Sequence, residues 1–311
     1  MRALLSFLCT LVAAGIAAAA VAYPVYELTS RVASWPFHRV YARLAMLAGV
    51  VMLVWLCRRL KVTSRRDLGY GLPWRRFLAV TSIFGALGIV TAGVGAVFLL
   101  AEGVRVVNDP ALLSAPRLAR LVLIALSSGI AVALIEETVM RGALHSAIAR
   151  ESGEWRALLW IAPLFAVLHF FAKAHVDAPD WSSGLRLLAQ SFAPLGDPAR
   201  VYDAFLAWMA LSLVLSLTRV LSGNIAAAIG LHAGWVMVLR FLQESTGSSG
   251  LHSVWVGRLD GLLGLWILPW CGAIGLALWL TRGAFARYAG EARGASEASR
   301  SSRSTGSPIS R

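Results

Sequence analysis

The sequence predicts an all-α, polytopic membrane helical bundle, and three observations predict it. Of the 311 residues, 58% are hydrophobic and only 14% are charged, with a mean hydropathy of +0.69. Charge that sparse is wrong for a soluble domain and usual for a chain that crosses lipid repeatedly. The apolar residues gather into eight long runs. The basic residues, all arginine except Lys61 and Lys173, gather in the short segments between those runs.

The eight runs cover roughly residues 4–22, 40–57, 77–100, 118–148, 155–172, 201–221, 224–242 and 258–281. Most reach the about 20 residues that a helix needs to cross about 30 Å of hydrocarbon. The first run ends near Ala20-Val21-Ala22, which fits a signal-peptide cleavage site. Its apolar core is longer than the roughly 7–15 residues usual for signal peptides, so a retained anchor is expected. Residues 1–282 therefore read as one transmembrane helical domain. From about 283 onward the chain is rich in Ser, Gly and Arg without periodicity, which reads as a disordered cytoplasmic tail.

Orientation follows from the arginines. The connector 58–76 carries Arg58, Arg59, Lys61, Arg65, Arg66, Arg75 and Arg76, the densest basic stretch between runs, and should be cytoplasmic. Both termini and the turns near 149–154 and 222–223 then fall on the same side. The connectors 23–39, 101–117, 173–200 and 243–257 fall outside. The net charge of +13 is thus explained by topology and by anionic headgroups, and nucleic acid is not an expected partner. Cys9, Cys57 and Cys271 all lie within apolar runs and frame neither a disulfide scaffold nor a metal cluster.

Against this background the stretch EETVMRG, residues 136–142, stands out because it continues one of the most apolar runs in the chain. A charge at mid-bilayer costs about 2.5–3.5 kcal/mol even on lenient scales, so such residues face protein or a water-filled cavity. Glu137 and Arg141 are spaced i, i+4 and can pair on one helical face, a structural role. Glu136 points about 100° around the helix from Glu137 and asks for another partner.

The next run supplies a candidate. Within PLFAVLHFF, His169 lies one turn after Phe165. Glu136 precedes the turn residue Gly153 by 17 positions, and His169 follows it by 16, so an antiparallel hairpin brings both to one depth. His232, in AAAIGLHAGWVM, lies 9 residues past Gly223 on another helix starting from the cytoplasmic side. One carboxylate and two imidazoles in a protected cavity suit hydrolysis. The carboxylate takes a proton from water, one histidine holds that water, and another donor stabilises the oxyanion. The other histidines carry weaker signals. His38 and His252 lie in or near external connectors, His145 lies one turn past Arg141, and His175 sits with Asp177 and Asp180 in a surface polar cluster. No serine or cysteine has a nucleophile motif, and no phosphate loop is evident.

These residues resemble the motifs of the CPBP family, the CAAX-protease and bacteriocin-processing membrane proteins also called the Abi family. EETVMRG is similar to its E-E-x-x-x-R motif and FAVLH to its F-x-x-x-H motif. The helix carrying LHAGW resembles its third motif, H-x-x-x-N. The resemblance covers roughly residues 118–242. It implies a bacterial, glutamic-type intramembrane endopeptidase working without a cofactor. Glu136 would be the general base and His169 would orient the water. Glu137 and Arg141 would brace the helix, and His232 would belong to the oxyanion site. The departure is Val236, which stands where the family usually has Asn and offers no hydrogen bond. Either another donor substitutes, with Trp235 adjacent, or the member is slow or inactive.

Three alternatives stay open. Glu136, His169 and His232 would form a plausible zinc-ligand set for a membrane peptidase, although no H-E-x-x-H is present. A catalytically inactive scaffold or immunity protein could keep the same fold. A transporter with a polar midplane site fits less well, because no internal repeat or pair of broken helices is evident. The expected partners are the lipid bilayer and a membrane-associated protein or peptide substrate. That substrate is a prenylated CAAX protein, a bacteriocin-like leader or the end of a membrane-anchored protein. The arginine-heavy, lysine-poor composition points to a GC-rich bacterial genome, hence an inner-membrane location, and weighs against CAAX processing.

Overall fold

Helices dominate because lipid offers the backbone no hydrogen-bond partners, so each crossing segment must satisfy its own. The computed structural model describes residues 2–33, 35–107, 114–170, 176, 178–259 and 261–284. In chain order it contains α1 (Arg2–Ser30), α2 (Phe37–Arg59), α3 (Trp74–Ala101), β1 (Arg105–Val107) and α4 (Ala115–Glu137). A π-helical segment (Thr138–Leu144) links α4 to α5 (His145–Ser152), and α6 (Glu154–Leu168) and α7 (Ser183–Ser191) follow. After a 3-10 turn (Ala193–Gly196) come α8 (Pro198–Ser222), α9 (Ala226–Ser245), β2 (Thr246–Ser248) and α10 (Ile267–Leu280). The all-α, multi-pass membrane class is what this architecture gives. The two short strands form one antiparallel ribbon with Val106 opposite Gly247.

Among the described residues six helical stretches are long and apolar enough to cross a membrane: α1, α2, α3, α4 continued to Ser152, α8 and α9. The two remaining expected spans are shorter. Among the described residues the run 155–172 is helical as far as Leu168, α6 having 15 residues, and the run 258–281 from Ile267, α10 having 14. Glycine explains the second case. Gly257 and Gly261 adopt φ of 110° and 62°, which a helix cannot contain. The chain there folds back on itself, with Leu265 N–H donating to Val254 O and Trp266 N–H to Trp255 O. The expected tail, from about 283 onward, lies outside the described residues except for Gly283 and Ala284.

The chain divides into two compact units. The first comprises Met1–Thr63, Ala143–Ser212 and Gly250–Leu268. Here α1 packs along α2 and against α7. The approach of α7 is close because Gly184 has no side chain: a Cβ there would meet the backbone of Ala19 at 2.8 Å. Ala22, Phe37 and Leu187 form a buried cluster beside Tyr23, Tyr26 and Tyr41, and Phe170, Val201 and Ala204 form another beside Phe205 and Trp208. The start of α7 is organised by Asp180, whose Oδ1 accepts from the Ser182 amide and from the Ser182 and Ser183 hydroxyls. The Ser182 hydroxyl foremost, with Ser183, the Ser182 amide and Arg186 behind it, holds the Asp180 carboxyl below its ordinary value. Asp180 is therefore a helix-start organiser, while His175 and Asp177 lie outside the described residues.

The second unit comprises Ser64–Gly142, Leu213–Ser249 and Pro269–Arg311. Helix α9 is its centre and packs against both α3 and α4. Small residues permit this. A Cβ on Gly88 would lie 2.5 Å from Leu231 O, and one on Gly129 would lie 2.6 Å from the Met237 side chain. Gly230 and Gly234, one turn apart on α9, would meet the backbone of Thr81 and Gly85 if they carried a Cβ. This is the small-residue packing by which membrane helices approach when the hydrophobic effect does not drive them together. Leu72, Phe77, Ala133, Ile225, Ile229 and Ala233 form the apolar core below it.

Candidate active site

The second unit buries a polar network built from α4, α8 and α9. The carboxylate of Glu137 is fully buried, as is the guanidinium of Arg141. Arg141 Nη1 donates to Glu137 Oε1 at 2.9 Å. The same oxygen accepts from His232 Nδ1 at 2.7 Å, across 95 residues of sequence. A carboxylate only accepts, so the ring proton lies on Nδ1 and Nε2 carries the lone pair. The other carboxylate oxygen, Glu137 Oε2, is buried without a hydrogen-bond partner among the described residues. One carboxylate thus holds a cation and orients an imidazole at once.

The helix departs from α geometry at this point. Residues Thr138–Leu144 are π-helical, a widened turn that places backbone groups out of α register and recurs at functional sites. Three contacts hold it. Arg219 Nε donates to Arg141 O at 3.1 Å, and the Thr138 and Tyr70 hydroxyls lie 2.6 Å apart. Gly142 sits where a Cβ would be 2.8 Å from Leu68 O, so the basic connector presses directly on the widened turn. Arg141 Nε also donates to Ser216 Oγ at 3.3 Å. Glu136 is half-buried at the end of α4, next to this turn.

Around His232, Trp235 is buried and its indole N–H donates to Thr91 Oγ1 at 2.9 Å. That bond takes the indole N–H out of contention as a substitute donor for the missing Asn. Val236 is half-buried one turn beyond His232. Asn224, another amide nearby in sequence, caps the start of α9: its Oδ1 accepts from Ala226 N and its Nδ2 donates to Ser222 O.

His169 belongs to the first unit. It ends α6, and its Nδ1 donates to Phe165 O at 2.8 Å. A carbonyl only accepts, so Nδ1 carries the proton and Nε2 carries the lone pair. The ring stacks on Trp208 with centroids 3.8 Å apart and lies 4.3 Å from the Phe165 ring. The aromatic position one turn earlier therefore contributes both a backbone acceptor and a wall. His145, also in this unit, is buried and donates from Nε2 to Glu154 Oε2 at 2.6 Å, bracing the α5–α6 turn.

Sequence reasoning missed Ser216, Arg219, Tyr70, Thr138 and Trp208. A signal for two of them existed: Ser212, Ser216 and Arg219 fall at i, i+4 and i+7 of α8, one polar stripe on an otherwise apolar helix. Among the described residues no three His, Cys, Asp or Glu side chains are grouped as metal ligands.

A multi-pass helical membrane protein with a buried carboxylate–guanidinium–imidazole network is the class that this fold and site define. Residues 118–238 match the family model described as type II CAAX prenyl endopeptidase Rce1-like, a likeness to the CPBP, or CAAX-protease, family over that stretch. The matched stretch begins and ends within four residues of the 118–242 span that resembles the family in sequence. No curated protein and no solved structure matches the chain.

Proposed function

We propose that this protein is a glutamic-type intramembrane endopeptidase that hydrolyses a peptide bond in a membrane-associated protein or peptide. The observation that carries the proposal is the double engagement of Glu137 Oε1 by Arg141 and His232. With Glu137 committed to bracing, the base role falls to Glu136. In this reading Glu136 takes a proton from the attacking water, and His169 keeps the water-orienting role that the family resemblance implies. The water oxygen attacks the scissile carbonyl carbon, and the negative oxygen that forms receives a hydrogen bond from His232 in its protonated form, held in orientation by Glu137. Glu136 then gives the proton to the departing amine, so that a carboxylic acid and an amine leave.

The reading requires no metal. It places both termini on the cytoplasmic side of a bacterial inner membrane. The match to a type II CAAX prenyl endopeptidase family supports a prenylated CAAX terminus as one substrate class, and a membrane-anchored leader peptide is the other. The test is cleavage in liposomes of matched peptides with and without a prenyl group, followed by mass spectrometry. Wild type should cut at least one, and Glu136→Gln should cut neither while melting at the wild-type temperature. Cleavage that persists in Glu136→Gln would remove the base assignment.

A further inference from the structure

In the first unit a trench of about 690 Å³ runs between α1 and α2. One wall is Leu5, Ser6, Cys9, Thr10 and Ala13 of α1, residues repeating every turn along one face. The other runs from Val51 and Met52 through Trp55 to Arg59 and Leu60 at the end of α2. The trench exists because α1 offers mostly small side chains there, while α2 offers Met52 and Trp55. From Leu5 to Ala13 it extends about 12 Å at 1.5 Å per residue, close to the roughly 15 Å of hydrocarbon in one leaflet. Its size lies within the range of about 300–1,000 Å³ typical of ligand sites.

The two ends differ. The lining is mostly apolar, with the Thr10 hydroxyl turned back onto Ser6 O at 2.6 Å, and closes at Arg59, whose guanidinium lies 5.2 Å from the centroid of the Trp55 ring. Arg59 is exposed, and among the described residues no carboxylate pairs with it. Some of its preference for this place is the C-terminal dipole of α2. The dipole does not account for the open trench beneath it. The wall there is fixed, because Arg150 Nη1 donates to Lys61 O at 2.9 Å. The nearby carboxylate Glu151 is engaged elsewhere, accepting from Ala3 N at 3.0 Å. An apolar channel one leaflet deep, ending in an uncompensated cation at the level of the basic connector, has the chemistry of a single lipid anion.

We propose that the α1–α2 trench binds one anionic glycerophospholipid, with an acyl chain along Leu5–Ala13 and the phosphate on Arg59. The occupant lies on a helix pair outside the Rce1-like stretch, and its binding does not depend on peptidase activity.

Native mass spectrometry of the full chain, titrated with phosphatidylglycerol or with phosphatidylethanolamine of the same acyl chains, tests this. Wild type should take up the first phosphatidylglycerol about fivefold more tightly, the increment expected for one arginine near a membrane surface. Arg59→Gln should bring that ratio close to one, Arg59→Lys should keep most of it, and Arg58→Gln should leave it unchanged. Ala13→Phe, which fills the trench, should reduce uptake of both lipids. A wild-type ratio near one, or a preference equally sensitive to Arg58 and Arg59, overturns the proposal in favour of a diffuse basic rim. A folded Ala13→Phe protein with unchanged lipid uptake, or one that alters the oligomeric state instead, also overturns it. If Ala13→Phe does not fold, the Arg59 and Arg58 variants decide alone.

Discussion

Replacing Glu137 by glutamine removes one charge and almost no volume, which makes it the sharpest probe of the network. The amide can still accept from Arg141 and His232 through its oxygen, at the positions where Oε1 now receives both at 2.9 and 2.7 Å. What it cannot do is compensate the guanidinium. Both Glu137 and Arg141 have no exposed side-chain surface, so water does not screen the loss. Breaking a buried ion pair by removing one partner costs roughly 3–5 kcal/mol. At about 2–4 °C per kcal/mol for a chain of this order of size, the melting temperature should fall by on the order of 10 °C. The assay is intrinsic tryptophan fluorescence during heating of detergent-solubilised protein. A second variant separates charge from shape. Adding Arg141→Met to Glu137→Gln removes the orphaned cation, so the double variant should melt several degrees above the single one. A Glu137→Gln protein that melts within about a degree of wild type would refute the reasoning. So would a double variant no better than the single, since an orphaned charge would then not be the cause.

Other outcomes follow from the same structure. Peptidase activity in liposomes should survive a strong chelator, and inhibition reversed by added zinc would favour the metallopeptidase alternative. Gly234→Ala should lower both stability and activity, because its Cβ would meet α3 backbone that cannot swing aside, 2.7 Å from Ile89 N, on the helix that carries His232. Reporter fusions after residue 65 should read cytoplasmic and those near residue 185 external; the reverse pattern would invert the assigned orientation. Val236→Asn should raise turnover by about 10²–10³ if one oxyanion donor is missing, and an unchanged or lower rate would end that idea.

The fold class was legible because lipid imposes a simple rule on composition, and among the described residues six full-length apolar helices follow it. Element ends were less legible. Residues 258–266 are apolar enough to pass for a span, but their hydrophobicity carries no record of Gly257 and Gly261 turning the backbone left-handed. The same limit hid α7, a nine-residue helix whose start depends on Asp180 side-chain bonds rather than on an apolar run. In the site, the Glu137–Arg141 pair is local and is written in i, i+4 spacing. The bond from His232 to the same carboxylate spans 95 residues, and only packing of α9 against α4 reveals it. The π-helical turn was invisible for a related reason: it is held from outside by Arg219, Tyr70 and Leu68, none of them neighbours in sequence.

The valine at 236 becomes more informative once its neighbours are fixed. A missing oxyanion donor is tolerable if another donor reaches the same oxygen; Trp235 was the candidate on sequence, and the structure adds the amide of Asn224. Trp235 donates to Thr91, and Asn224 is consumed in capping α9. Neither is available without breaking a bond that holds α9 in place. In the proposed mechanism the electrostatic work at the oxyanion then concentrates on His232. In that mechanism the residue is held for the load: it is buried, and the Glu137 carboxylate accepts from its Nδ1 and faces the charge that the ring carries when it donates from both nitrogens. Arg141 acts in the opposite direction, because it shares the same oxygen and reduces the negative charge that the imidazole meets. Turnover should therefore depend on the charge of Glu137 beyond its effect on stability. In an active enzyme, Glu137→Gln measured well below its melting temperature should lower kcat more than it raises KM. Equal effects on both would mean that Glu137 only shapes the substrate's seat, and the imidazole's charge would lose its place in the mechanism.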